Sequence, residues 1–552
     1  MVTDRLAELV RGALARAARE LSLDPAELPE PSFERPRNRE HGDWATNVAL
    51  VAAKGKGNPR PIAQAIADAI ETSELIESVE VAGPGFLNFR LSASWLHDVV
   101  KRAADPAARF GRSNEAAGTR VNVEYVSANP TGPINVVSGR HAAVGDTISA
   151  LLEATGHDVT REYYFNDAGR QMLLFGASVG ARYLQRFGVE VEVPEEGYHG
   201  DNIVEVAGEI AGEVGDSLIS LEWDELAQRM LDLSWPRILE SVKHSLERFG
   251  TTFDVWFSES TLHSKGEVQA AIDRLKQKDL MEDRDGALWF LSSRFGDDKD
   301  RVVIRSNGEP TYLAADLGYL LDKFGRGFDR LIYLWGADHH GTIPRLMAAV
   351  EALGFERDHV EIPLLQIVSL SRGGESVKAS KRAGVYVALD ELVDEVGVDA
   401  ARYTFLTRSL EAHLDFDIDL AKEQAPENPV YYVQYAHARI CSILRKAAEE
   451  GHGPDPAAAK LDRLTHPSEE ELMRKIASYE EVISDAARLR APQRIPRYVE
   501  ELASTFSAFY RDCKVLTDDK DLSGARLALC VATKGVLADG LGLLRVNSPE
   551  RM

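Results

Sequence analysis

Cysteine is scarce: Cys441, Cys513 and Cys530 are the only three in 552 residues, far apart and without a paired CxxC spacing. That excludes a disulfide framework and a cysteine-based zinc site. The histidines include the adjacent pair His339 and His340, but neighbouring positions lack the i, i+4 spacing of the common helical zinc motif, so no bound metal site is expected. No apolar run approaches the roughly 18 residues that a membrane span needs. The N-terminal MVTDRLAELVRGALARAARE breaks its apolar residues with charge and spaces Leu6, Leu9, Val10 and Ala13 as a helix, which excludes a secretion signal. A cytoplasmic location without a membrane partner is expected. Positive charge is in deficit, 64 Lys and Arg against 88 Asp and Glu for a net −24. Nonspecific coating of nucleic acid is therefore excluded, because counterion release needs clustered cations, although local patches can still supply them. Internal repeats and low-complexity tracts are also missing.

What is present is an ordinary globular composition, 44% apolar and 28% charged, on a chain long enough for about three or four domains. Residues 1–112 combine a helical start, the loop ERPRNREHGDWATNVAL and the strand signal VEVAGPGFLNFRL, as in a small α+β domain. Residues 113–424 alternate strands and helices, the pattern of a doubly wound, Rossmann-type sheet. An acidic, mostly helical stretch near 185–265 interrupts that alternation and reads as an insertion. Residues 425–552 lose strand signals and form an all-α domain. The fold class is thus multidomain α/β.

The stretch SANPTGPINVVSGR, residues 127–140, follows the period-2 strand RVNVEYVS. It precedes a helix read from Ser138, with Val144, Ile148, Leu151 and Leu152 as one buried stripe. DVTREYYF then supplies a second strand, completing a βαβ unit, so the loop lies at the carboxyl end of a parallel strand and at a helix N-terminus. Such a position favours phosphate, though most loops rich in proline and glycine are plain turns. ESVKASKRAG gathers Lys378, Lys381 and Arg382 beside Ser380; three cations suit a transferring phosphate, and a surface loop is the alternative. PTYLAADLGYLLDK sets Tyr312 and Asp316 four residues apart on one helical face, where a carboxylate can meet a cationic ligand or merely complement the helix N-terminus. Between Arg488 and Lys514 six basic residues face three acidic ones, a nucleic-acid patch or a solvated face.

These stretches, with HGDWATN, GPGFLNF, REYYFNDAGRQ, FGDDKDRVVIRSNGEPTYLAADLGYLLDK, GADHHG and ENPVYYVQYAHAR, resemble in order and over essentially the whole chain the bacterial arginyl-tRNA synthetases of class I. The wording is most similar to the actinobacterial branch. The resemblance implies activation of L-arginine with ATP and Mg2+, then transfer to tRNA-Arg, by a chain taken as a monomer. It implies that Glu124, Asn129, Tyr312 and Asp316 bind arginine, in an acidic pocket with no other cation nearby. Pro133, Val137, Gly336, Asp338, His339 and Ser380 would bind ATP, and Asn135, Ser138, Lys378, Lys381 and Arg382 would carry catalysis. The N-terminal domain would touch the tRNA elbow. Tyr435, Arg439, Arg494 and Arg497 of the helical domain would bind the tRNA at its anticodon end, where single-stranded loops are read by stacking and by arginine.

One motif departs. After NPTGP the family pattern is histidine, aliphatic, glycine and usually a second histidine, the HIGH signature; here stand Asn135, Val136, Val137 and Ser138. An imidazole donor to the triphosphate is lost, a change that costs about 2.7 to 4 kcal/mol in the transition state, and an amide replaces part of it. Val137 should push into the space that glycine leaves for adenine, while Ser138 can cap the helix. Two readings stay open: a working arginine–tRNA ligase with an adjusted ATP loop, or a paralogue with impaired adenylation acting as an arginine- or tRNA-binding regulatory protein.

Overall fold

A computed structural model describes residues 2–21, 24–36, 38–53, 57–71, 73–167, 169–377 and 387–552. The N-terminal helix Val2–Leu21 buries Leu6, Val10, Ala13, Leu14 and Ala17 and packs on the helix Arg60–Ala69. A three-stranded antiparallel sheet completes this α+β unit, with Phe86–Leu91 between Trp44–Thr46 and Ile76–Ala82. The strand signal around GPG is in fact a hairpin. Gly83 and Gly85 take positive φ values of 51° and 150°, which reverse the chain where a side chain would resist.

The second unit holds a five-stranded parallel sheet. Its strands in chain order are β1 (Arg120–Glu124), β2 (Asp158–Phe165), β3 (Val255–Ser258), β4 (Arg330–Tyr333) and β5 (Val360–Glu361). The spatial order is β5-β4-β1-β2-β3, so the winding reverses between β1 and β4. In register, Glu124 faces Tyr333 of β4 and Glu162 of β2. The helices that frame this reversal are α1 (Val136–Ala154), α2 (Arg170–Arg186) and α3 (Tyr312–Gly325).

Two expectations change here. The stretch read as an insertion to about 265 contains β3, an outer strand of the sheet; four residues, VWFS, are too short to show period-2 alternation beside long helices. The helices before it, α2, Asp201–Val214 and Trp223–Arg248, share a separate core built on Phe175, Tyr183, Ile203 and Met230. Helix α1 starts at Val136, not Ser138, and is buried on nearly every face, because the sheet lies on one side and the helices Val398–Phe405 and Tyr479–Arg488 on others. A single stripe therefore understates it.

Residues 429–543 form the helices Pro429–Glu449, Pro467–Ala477, Tyr479–Arg488, Arg494–Asp512 and Lys520–Leu543. Buried Arg402 joins this domain to the sheet domain: it donates to the carbonyl of Leu544 at 2.8 Å and to Asp146 Oδ2 on α1 at 2.7 Å.

Gly145 of α1 lies against β1 so closely that a Cβ there would sit 2.2 Å from Tyr125 Cγ. Gly145→Ala should therefore lower the urea midpoint by the equivalent of about 1–3 kcal/mol, an overpacking cost. An unchanged midpoint would show that Tyr125 moves aside freely.

Candidate active site

β1 ends in a strained turn. Val126 and Ser127 have φ values of 66° and 41°, a left-handed region that costs non-glycine residues of order 1–3 kcal/mol and persists only under constraint. The constraint comes from β2: the Tyr164 amide donates to Ser127 Oγ at 3.1 Å, and the Tyr163 hydroxyl donates to the Ala128 carbonyl at 2.7 Å. The loop is thereby turned across the carboxyl ends of the strands, where open α/β sheets bind ligands.

At its far end Asn135, not Ser138, caps α1. Its extended backbone and short amide let Oδ1 accept from the Ser138 amide at 2.9 Å, leaving the NH2 group to donate elsewhere; Ser138 is the third helical residue and receives the cap. Val136 is buried and bonded to the Val387 carbonyl. Val137 is 40% exposed and Pro133 is exposed. Across the crevice, beyond β4, Gly336 packs so tightly that a Cβ would meet Asp338 Oδ1 at 2.5 Å. Asp338 and His339 are exposed there, with the His339 ring 5.8 Å from Trp335. These two turns lie just beyond β1 and β4. Lys378, Ser380, Lys381 and Arg382 lie outside the described residues.

Beside the crevice is a cavity of about 830 Å³ lined by Asn166, Gln171, Glu259, His263, Thr311 and Tyr312, among others. Tyr312 opens α3 and is 64% exposed. Asn129 reaches the rim, donating from Nδ2 to Gln171 Oε1 at 3.1 Å. One turn into α3, burial above all, reinforced by Glu124 and Glu259 and opposed by Arg345, pushes the Asp316 carboxyl up to about 7. Burial also raises Glu259, whose Oε2 accepts from the Tyr164 hydroxyl at 2.5 Å. Glu124, Glu259 and Asp316 thus form an acidic centre at the ends of β1, β3 and the start of α3. An acidic centre of this kind favours a cation that brings its own hydrogen-bond donors.

The expectation that no other cation is near is corrected. Lys323, fully buried on α3, donates to Glu124 Oε2 at 2.6 Å and lies 3.9 Å from Glu162 Oε1. The ammonium also stands over the Tyr319 and Tyr333 rings, at 4.3 and 4.0 Å. Lys323 is eleven residues along α3 from Tyr312, and only docking of that helix on β1 brings it to Glu124. The sequence reading missed Glu259, Tyr164, Asn166 and Gln171 as well. REYYFNDAGRQ carried three of them in view, but Glu259 follows the short β3 and gave no local signal.

In the helical domain Tyr435 and Arg439 come together. They line a cavity of about 590 Å³ with Arg445, Lys446, Tyr510 and Arg551, and the Arg439 guanidinium lies over Tyr435 and Tyr510. Arg494 and Arg497 do not line it; they are engaged by Asp485 at 3.5 Å and Glu501 at 2.9 Å. The basic excess of that stretch is therefore partly spent on acidic neighbours. At an exposed corner far along the chain, Glu356, Asp358 and His359 bring possible ligand atoms within 4.8 Å of one another. That grouping, unforeseen in the sequence, consists of solvated ion-pairing residues, His359 lying 3.7 Å from Glu356. No helix among the described residues is long and apolar enough to cross a membrane.

A parallel sheet with its crevice at the β1/β4 reversal, two turns across it and an acidic cavity alongside define a class I synthetase catalytic domain. Residues 108–409 match the family described as tRNA synthetases class I (R), catalytic domain. Residues 4–91 match the arginyl tRNA synthetase N terminal domain, and 433–552 the DALR anticodon binding domain. Two curated relatives, each named arginine–tRNA ligase, come from Moorella thermoacetica and Desulforamulus reducens. The first is 47% identical, over 98% of this chain and 97% of its own, and the second 45%, over 100% and 99%. A solved structure, a putative arginyl-tRNA synthetase from Campylobacter jejuni, is 35% identical, covers 84% of this chain and 100% of its own, and superimposes with a TM-score of 0.75. The chain belongs to the arginyl-tRNA synthetase family.

Two outcomes follow from the acidic centre. Lys323→Met should destabilise the fold by about 3–5 kcal/mol, because Glu124 and Glu162 would keep buried charge without that partner; a denaturant midpoint within experimental error of the parent would contradict the pairing. Asp316 must ionise to hold a cation, and its carboxyl titrates near 7. L-Arginine affinity, followed by calorimetry, should therefore be full above pH 8 and fall as pH drops through 7 toward 6, and Asp316→Asn should remove that pH dependence.

Proposed function

We infer that this chain is an arginine–tRNA ligase. It would condense L-arginine with ATP to arginyl-adenylate, releasing pyrophosphate, and then pass the arginyl group to the terminal adenosine of tRNA-Arg. The observation that carries this reading is the acidic centre of Glu124, Glu259 and Asp316 beside a crevice at a helix N-terminus. A guanidinium or ammonium brings the cationic partner that Glu259 and Asp316 lack, Glu124 being already held by Lys323, and a neutral analogue would leave buried charge unpaired, so the pocket discriminates by that cost.

In this scheme Tyr312, Asp316, Glu259 and Glu124 hold the substrate's charged groups, and Asn129 with Gln171 borders its entrance. The arginine carboxylate attacks the α-phosphorus of ATP and pyrophosphate departs. The Asn135 amide, with Oδ1 committed to the cap, offers its NH2 group to the phosphates in place of an imidazole. Gly336, Asp338 and His339 border the nucleoside, with Pro133, Val137 and Ser138 opposite. Lys378, Lys381 and Arg382, flanking Ser380, offset the charge that develops on the leaving group. Mg2+ enters with ATP as part of the substrate. Tyr435 and Arg439 take bases of the anticodon loop by stacking, while Arg494 and Arg497 meet the backbone once released from their acidic partners. The enzyme this describes is cytoplasmic and monomeric; the actinobacterial affinity of its motif wording is not matched by the curated relatives, which are Firmicutes.

The NVVS loop favours a second reading, a paralogue that binds arginine or tRNA with impaired adenylation. ATP–pyrophosphate exchange with L-arginine and tRNA-Arg decides between the two, and exchange by the parent supports the ligase. The double variant Asn135→His/Val137→Gly sharpens the result. It regains a phosphate donor but loses the Asn135 cap, so exchange should rise at least about tenfold while stability falls by about 1 kcal/mol. A silent parent with an active double variant would establish the paralogue, and silence in both would place the defect outside residues 135–138.

A further inference from the structure

The second turn of α1 carries two adjacent side chains that this chemistry does not use. Arg140 is fully buried, 0% exposed, and its guanidinium donates only to backbone: Nη1 to Gln366 O at 2.7 Å and Ala412 O at 3.3 Å, Nη2 to Ser409 O at 3.0 Å and Ala412 O at 3.2 Å. Among the described residues no carboxylate is paired with it. Burial pulls its pKa down to about 10, and a cation kept under that penalty needs a compensating task. His141 is 8% exposed. Its ring lies against the backbone of Leu334, just past the end of β4, and its Nδ1 is buried without a hydrogen-bond partner. Asp338 and His339 are close enough for their charges to act on it; burial first, then Arg140, hold it neutral with a pKa of about 4.

Consecutive residues of a helix point about 100° apart, so these two engage different neighbours. Gln366 immediately precedes the hairpin formed by Val368–Arg372 and Glu375–Ser376, which the chain leaves just before Lys378. Leu334 opens the turn that carries Gly336, Asp338 and His339.

We propose that Arg140 and His141 are positioning residues forming a two-sided clamp: from one turn of α1 they fix the 368–376 hairpin on one side and the 334–342 turn on the other, at the separation the adenylation transition state requires. The assignment of those segments to ATP rests on the function proposed above; the clamp itself rests on the Arg140 bonds and on the contact of the buried His141 ring with Leu334.

The test uses the full chain. Arg140→Lys keeps the charge, but an ammonium cannot span three carbonyls as a planar fork does. It should lower kcat for pyrophosphate exchange at least about tenfold while KM for ATP stays within about threefold. His141→Phe removes the ring's polar contact with Leu334 and should do the opposite, raising KM for ATP about tenfold with kcat nearly retained, and His141→Gln, which can still donate, should recover the parent value. Substrate-free hydrogen exchange reads the clamp without any activity. Arg140→Lys should deprotect amides of 368–376 and not 334–342, and His141→Phe the reverse. A parent that fails to exchange pyrophosphate would refute the ligase reading and leave hydrogen exchange to decide the clamp. Equal changes in kcat and KM for both variants, deprotection of both segments by either, or no deprotection at all would overturn it.

Discussion

Glu124 and Glu162 occupy paired positions on adjacent parallel strands, so the sheet sets two buried carboxylates side by side in the floor of the crevice. Like charges opposed across strands are destabilising, and burial would push Glu162 toward its neutral form. Lys323 of α3 and Arg326 at its C-terminal cap, with hydrogen bonds from Arg326 and the Tyr319 hydroxyl, outweigh that burial and hold Glu162 below the ordinary carboxylate range. Arg326 grips both Glu162 oxygens, at 2.6 and 2.9 Å, and Asn122 donates to it from β1. The charge cluster therefore locks the axial position and rotation of α3 against β1 and β2. Tyr312 and Asp316 lie at the other end of the same helix, and where they stand, Tyr312 lining the cavity and Asp316 one turn on, follows from this lock.

The same reasoning separates the two kinds of carboxylate in the site. Glu162 has cations at hydrogen-bond distance and stays ionised as structure. Among the described residues Asp316 and Glu259 have none so close, and their carboxyls are raised. A site with charge still to be satisfied is one in which a ligand supplies the missing partner, and this imbalance marks the pocket more sharply than its shape.

Helix α1 links that pocket to the rest of the chain. Its first residue follows the Asn135 cap, its middle accepts Arg402 through Asp146, and Arg402 in turn holds the Leu544 carbonyl at the end of the last long helix. Arg161 of β2 lies 3.4 Å from Asp146 as well. Two residues, Arg402 and Asp146, both buried and both charged, thus tie the helical domain to the helix that begins at the NVVS loop. Burial makes these bonds directional and leaves water little chance to replace them.

Local patterns were enough for much of this protein. Period-2 and helical spacing placed β1, β2 and α1, and the four-residue spacing of Tyr312 and Asp316 put them on one helical face. These are decided within a few residues of chain, by turn chemistry and by which positions must be apolar. The sequence also fixed the composition of the odd loop, NVVS, though not that Asn135 would spend its carbonyl oxygen on the cap. Tertiary structure alone decided which charges are spent and which are free: Lys323 on Glu124, Arg494 and Arg497 on acidic neighbours, Arg140 on bare carbonyls. It also placed Glu259 in the pocket and β3 in the sheet. A side chain's partner depends on distances between segments far apart in the chain, and its desolvation on everything packed around it, so no run of neighbouring letters contains either quantity.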